Sequence, residues 1–177
     1  GPSLVTTASY RVVPYPAEAP SFPNGAHAIR TDPWTAAPGA PTTLRWHTGL
    51  AAADYSHTRS NNVFAYQDRA NDNNGTIADA VTSSTAFPNL TFDHTPNYTV
   101  DPTQTTPVPN QQFNTVNLFY WNNIIHDIMY IYGLTEPAAN FQDDNLGRGG
   151  LGNDHVNAEA QDGGGTNNAN FSTPADG

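Results

Sequence analysis

Residues 113–132 carry an apolar pattern wider than a helix on a surface needs. Phe113, Val116, Tyr120, Ile124 and Ile128 fall on one helical stripe, and Trp121, Ile125, Met129 and Tyr132 fall on an adjoining one. The spacing predicts a central helix with both stripes buried. Asn114, Asn117, Asn122, Asn123, His126 and Asp127 interrupt it too often for a membrane span. Gly133 supplies the stop after the last periodic residue. A chain of 177 residues, 37% apolar and 11% aromatic, has enough side chain to build one core around that helix.

Residues 1 to about 110 hold most of the prolines, in spaced pairs such as Pro14 with Pro16, Pro20 with Pro23 and Pro38 with Pro41. Proline fixes φ and removes a donor, which excludes long helices there. Short β-favouring runs lie between them at 9–13, 43–47 and 62–66, and polar stretches at 68–75 and 95–112 read as a turn and a connector. Behind the helix, 145–152 is glycine-rich. It lacks the Lys-Ser/Thr ending of a phosphate loop and reads as a connector with positive φ angles. His155, Asn157, Glu159 and Gln161 then alternate with Val156, Ala158, Ala160 and Asp162, a period of two that predicts a strand. Gly163, Gly164 and Gly165 turn the chain, and 167–171 is expected to return as the second strand of a hairpin. The class is α+β: a β-rich N-terminal lobe, a buried central helix at about 113–132 and a C-terminal hairpin. It is read as a single domain over 1–177, with 1–8 set apart as a cloning scar or processed N-terminus.

All six cations are Arg, and sixteen carboxylates leave a formal charge of −10. A surface of that sign repels phosphate, which argues against nucleic acid as a partner. It serves solubility, or calcium binding, since hard cations gather oxygen ligands. The absence of cysteine removes disulfides, thiolate metal sites and cysteine nucleophiles together. An exported bacterial protein fits that best, because small secreted eukaryotic domains more often hold disulfides. No basic region with an apolar stretch behind it opens the chain, so a signal peptide is either absent or already removed. Asn-x-Ser/Thr sequons begin at Asn74, Asn89, Asn97 and Asn170 and matter only in a eukaryotic secretory route.

Six histidines invite a zinc site, yet no two are spaced i, i+4. His126 has only Asp127 beside it, and adjacent helix positions point about 100° apart, so His126 reads as a hydrogen-bonded core residue. His47 and His57, by predicted loops, stay open to surface, substrate or ligand roles. Gly-x-Ser-x-Gly is absent, and three glutamates, Glu18, Glu136 and Glu159, give little support for a glycosidase pair. Asp143, Asp144, Asp154, Glu159 and Asp162 concentrate around the glycine loop and hairpin and are candidate calcium ligands, with a solvated loop as the other reading. No catalytic residue and no zinc ligand set is read in the chain. The return strand carries the positive argument. A peptidase holds an extended substrate against an exposed edge strand, and Asn167, Asn168, Ala169, Asn170 and Phe171 supply polar side chains with no proline until Pro174.

Several blocks resemble, in order, the catalytic domain of the fungalysin family of secreted zinc metalloendopeptidases. They are Asn117-Leu118-Phe119-Tyr120-Trp121-Asn122-Asn123-Ile124-Ile125-His126-Asp127, Tyr132-Gly133, Glu136, Ala138-Ala139-Asn140-Phe141-Gln142, Gly147-Arg148-Gly149-Gly150, and Ala160-Gln161-Asp162-Gly163 through Gly177. Upstream, Thr31-Asp32-Pro33-Trp34, Trp46-His47 and Thr58-Arg59-Ser60-Asn61-Asn62-Val63 are similar to its earlier landmarks. The Phe-Tyr-Trp-Asn-Asn block suits the bacterial branch.

The resemblance implies the first half of a thermolysin-like domain, whose cleft is floored by an H-E-x-x-H helix. Asn168 and Ala169 match the positions that bind substrate, one through a side-chain amide and the other through its carbonyl, with Asn167 beside them. Arg148 and Asp162 match family positions without an assigned role. The zinc ligands and the Glu base are expected downstream of Gly177, on a C-terminal half that is the expected partner beside a protein or peptide substrate. The chain alone is expected to be inactive, as a nicked product, a deliberately cut piece or a pseudo-enzyme. An acidic extracellular binding or adhesion module is the alternative.

Overall fold

The computed structural model describes residues 4–37, 39, 41, 43–49, 53–100 and 110–177. Gly1, Pro2, Ser3, Pro38 and the 101–109 part of the connector lie outside them. β1 (Thr7–Val12) alternates half-buried and buried residues, so that Ala8, Tyr10 and Val12 face inward. It is the centre of a three-stranded sheet, antiparallel to β2 (Ala28–Thr31) and parallel to β4 (Asn89–Phe92), with Tyr10 opposite both Arg30 and Phe92. A second sheet pairs β3 (Val63–Gln67) in parallel with β5 (Val156–Ala160), from Val63 opposite Val156 to Gln67 opposite Ala160. No α-helix occurs among the described residues before Asn110, in line with the proline spacing.

The run 43–47 is not a strand. Arg45 and Trp46 take φ angles of 47° and 62°, a left-handed double turn that no strand holds. The turn drives the Trp46 indole and the His47 imidazole into the core, where they are 2% and 0% exposed. Burying two rings there outweighs a local β preference.

The helix forms as α1 (Asn110–Ile131). Gly133, with φ of 108°, donates to the Tyr130 carbonyl while Leu134 donates to that of Met129, the paired bonds of a Schellman cap. Phe113, Val116, Phe119, Tyr120 and Ile124 are buried, and α1 packs on β1, β3 and β5. The second stripe departs from expectation. Trp121 is half-buried, but Ile125, Met129 and Tyr132 are 53%, 43% and 84% exposed, so the strands packed against α1 leave this stripe uncovered.

The polar residues that interrupt the helix serve its neighbours. Asn117 Oδ1 accepts from the Val13 amide at 2.8 Å and Trp121 Nε1 donates to the Val13 carbonyl at 2.9 Å, so α1 satisfies the backbone just past the end of β1. Asn123 Oδ1 accepts from Ser60 Oγ and Asn62 Nδ2 at 2.9 and 3.0 Å, fixing the entry to β3. At the centre, Tyr10 and His47 each stack on Phe92 with ring centroids 5.3 Å apart, and Phe119 closes the cluster. A ring the size of Phe119, fully buried, contributes about 1.5–3 kcal/mol.

Candidate functional site

The segment after β5 is an arm rather than a strand. Gln161 takes a φ of 52° and ends the ladder. The Gly163 amide donates to the Asp68 carbonyl at 2.8 Å, and a Cβ on Gly163 would fall 2.3 Å from the Arg69 carbonyl oxygen, so the approach to the 68–72 turn requires glycine. Asp162 Oδ1 accepts from the Gly164 amide at 2.8 Å. At the far end, Asp176 Oδ2 accepts from Leu151 N and Asp154 Oδ2 from Gly177 N, at 3.1 and 3.3 Å. Between these tethers Asn167, Asn168, Ala169, Asn170 and Phe171 are exposed, with no backbone bond to β5 among the described residues.

The expected hairpin is therefore absent. β5 takes its ladder partner from β3 instead, and 167–171 has no buried face to offset the entropy of fixing its backbone; Phe171 is 72% exposed. An open cleft of about 700 Å³ adjoins the start of the arm, lined by Tyr15, Leu118, Trp121, Glu159 and Gln161.

A buried polar chain ties the 136–155 loop to α1. His126 Nδ1 meets Asp127 Oδ1 and its Nε2 meets Gln142 Oε1, both at 3.0 Å. Gln142 Nε2 donates to Glu136 Oε1 at 3.2 Å, and Glu136 accepts further from Tyr130 Oη at 2.7 Å and Arg148 Nη1 at 3.3 Å. Burial alone would raise the Glu136 carboxyl. The donors from Tyr130, Gln142 and Arg148 outweigh it and hold the pKa below the usual range. Sequence reasoning gave this network no role, although Glu136, Gln142 and Arg148 all stand in the family-like blocks, and a lone glutamate just past a helix stop was the available signal.

The five calcium candidates are brought into no common oxygen cage. Asp143 accepts from His155 Nδ1 at 2.7 Å and pairs with Arg59. Asp144 accepts from Leu146 N, Asp154 from Gln142 N and Glu159 from Tyr66 Oη. Each carboxylate is committed to a separate structural bond, and no group of three metal-ligating side chains gathers among the described residues. Burial would raise the Asp143 carboxyl, but His155 and Arg59 lower it overall.

Of the open histidines, His47 is a core ring whose Nε2 meets Tyr10 Oη at 2.6 Å. Burial, and then the charge of His57, pushes its pKa down to about 3, so it is neutral. His57 lies half-buried against the rings of Tyr55 and Phe64, its pKa lowered by burial and then by Arg59. His126 is bonded at both ring nitrogens, as its place on the helix suggests.

The family model described as fungalysin metallopeptidase (M36) matches residues 9–177. The extracellular metalloproteinase MEP of Fusarium vanettenii is 39% identical over 172 residues, 96% of this chain and 24% of that protein. Extracellular metalloproteinase 2 of Trichophyton tonsurans is 40% identical over 174 residues, 98% of this chain and 25% of its own length. The MEP of Pyricularia oryzae is 38% identical over 173 residues, again 98% and 25%. The chain thus spans about a quarter of the length of these relatives. All three are fungal, and the expected bacterial branch gains no support from them.

Proposed function

The chain belongs to the fungalysin metallopeptidase family (M36), and from that membership we propose that it forms the substrate-cleft half of an extracellular zinc metalloendopeptidase that hydrolyses peptide bonds in proteins. The observation that carries this reading is the tethered arm after β5, whose backbone groups between Asn167 and Phe171 have no partner strand among the described residues. An extended peptide satisfies such groups by lying alongside them. In this reading Asn168 bonds the substrate through its side-chain amide and Ala169 through its carbonyl, with Asn167 setting the entry. Among the described residues no group of metal-ligating side chains gathers into a zinc cage.

The zinc ligands and the base are assigned to the remainder of a thermolysin-like domain. That remainder is the partner proposed to cover Ile125, Met129 and Tyr132. The test is casein hydrolysis by the complete protein, abolished by a zinc chelator and restored by zinc, beside the 177-residue polypeptide alone. Cleavage that survives chelation would overturn the metallopeptidase reading. Chelator-sensitive cleavage by the isolated polypeptide would put a metal site inside this chain.

A further inference from the structure

We propose that Asn97 accepts an N-linked oligosaccharide and is the most highly occupied sequon of this chain. The inference rests on the extracellular reading above, taken with a eukaryotic secretory route such as the fungal relatives' organisms possess, and on nothing in the substrate arm. All four sequon asparagines are exposed, and they differ in where the hydroxyl two residues on is directed. Thr99 Oγ1 donates to Asn97 Oδ1 at 2.7 Å, and the Thr99 amide donates to the same oxygen at 3.1 Å. In the Asn74 sequon, Thr76 Oγ1 donates instead to Asp79 Oδ2 at 2.6 Å. In the Asn89 sequon, Thr91 Oγ1 accepts from Thr85 Oγ1 and the Thr91 amide donates to Ser83 Oγ. Ser172 makes no such bond to Asn170 among the described residues.

Two donors on one carbonyl oxygen draw charge out of the amide and make a proton on its nitrogen easier to lose. Because the turn spans two residues, it forms locally and does not wait for tertiary packing. In the transfer, Asn97 Nδ2 bonds to the anomeric carbon of an oligosaccharide carried on a polyprenyl pyrophosphate. The carbon–oxygen bond to the pyrophosphate breaks, the pyrophosphate leaves with the electron pair, and the one proton lost from the amide passes through water to the departing pyrophosphate or the bulk solvent.

The folded chain accommodates the product. The Asn97 amide donates to Asn110 Oδ1 at 2.6 Å and its carbonyl accepts from Asn110 Nδ2 at 2.8 Å, anchoring the backbone to the first residue of α1. Asn97 Nδ2 itself has no partner among the described residues. A hydrated glycan there lies beside Tyr98, 60% exposed, whose ring packs edge-on against His27 and Phe113.

The test is expression of the complete protein through the secretory route of a yeast. Site occupancy is read by peptide mass mapping before and after endoglycosidase, on secreted and cell-retained protein together, so that poor export does not hide the result. The Asn97 peptide is expected to carry glycan at higher occupancy than the Asn74, Asn89 and Asn170 peptides. Asn97→Gln and Thr99→Val should each remove it, and Thr99→Ser should keep it. An unmodified Asn97, or an occupancy below that of any of the other three, would overturn the proposal. Peptidase activity of the same preparation is scored apart and reports on the proposed function, not on the glycan.

Discussion

The indole nitrogen of Trp46 donates to Asp127 Oδ2 across 2.9 Å, joining the left-handed turn of the N-terminal lobe to α1 where both side chains are shielded from water. Burial pushes the Asp127 pKa up, and the bonds from His126 and Trp46 hold that rise back. Trp46→Phe keeps a ring in the core but deletes the donor, leaving a buried carboxylate oxygen unpaired at a cost of about 1–3 kcal/mol. The loss should appear as a lower denaturant midpoint at unchanged slope. Asp127→Asn, which still offers an oxygen to the indole, should cost less. Equal losses in the two variants would mean that ring packing, and not this bond, fixes the turn to the helix.

What was legible in the sequence follows from how local each signal is. The buried stripe of α1 and the Gly133 stop are written in spacing over a few turns, and both appear as read. The turn at Arg45 and Trp46 is not, because the φ angles there are set by a core that includes Phe119 and Tyr120. β2 and β4 were missed for a related reason: each has four residues, and β4 is a strand only because Thr7 meets Asn89 across most of the N-terminal lobe. At the site, the polar character of 167–171 was legible, but its pairing was not. Alternation in 155–162 announces a strand without saying which neighbour it takes, and β5 took β3.

Acid should loosen the 136–155 loop first. Glu136 and Asp143 both have pKa values held below the usual range in the folded chain. A depressed carboxyl contributes stability above its unfolded pKa and loses it as pH falls through the folded one. The melting temperature should therefore hold near neutral pH and fall below about pH 4, with amide exchange in the loop rising ahead of exchange in α1. Asp127, whose pKa is raised, works in the opposite sense and loses its contribution as pH rises. Glu136→Gln keeps an acceptor for Tyr130 without a charge and should flatten the acid limb. A wild-type acid profile in that variant would assign the limb to other carboxylates.

The open stripe of α1 predicts association. Ile125, Met129 and Tyr132 lie within reach of one another along one face and are largely exposed. The isolated 177-residue polypeptide should bind an apolar fluorescent dye and either self-associate or co-purify with the remainder of the protein. In the complete protein the dye signal should fall, and Met129→Glu should weaken the packing of the two parts. A monodisperse isolated chain that binds no dye would argue that this face needs no partner.

The arm carries the prediction closest to function. If Asn168 bonds the substrate backbone through its side-chain amide, Asn168→Ala in the complete protein removes a neutral hydrogen bond, worth about 0.5–1.5 kcal/mol net and more where a buried partner is left unpaired. Where the bond strengthens as the scissile carbonyl becomes tetrahedral, the loss falls on kcat as well as on KM; where it is made equally to substrate and transition state, it falls on KM alone. Stability should not change, because the residue is exposed and lies on a segment that no strand holds in place. Wild-type kcat and KM in Asn168→Ala, at an unchanged melting temperature, would remove 167–171 from the substrate-pairing role.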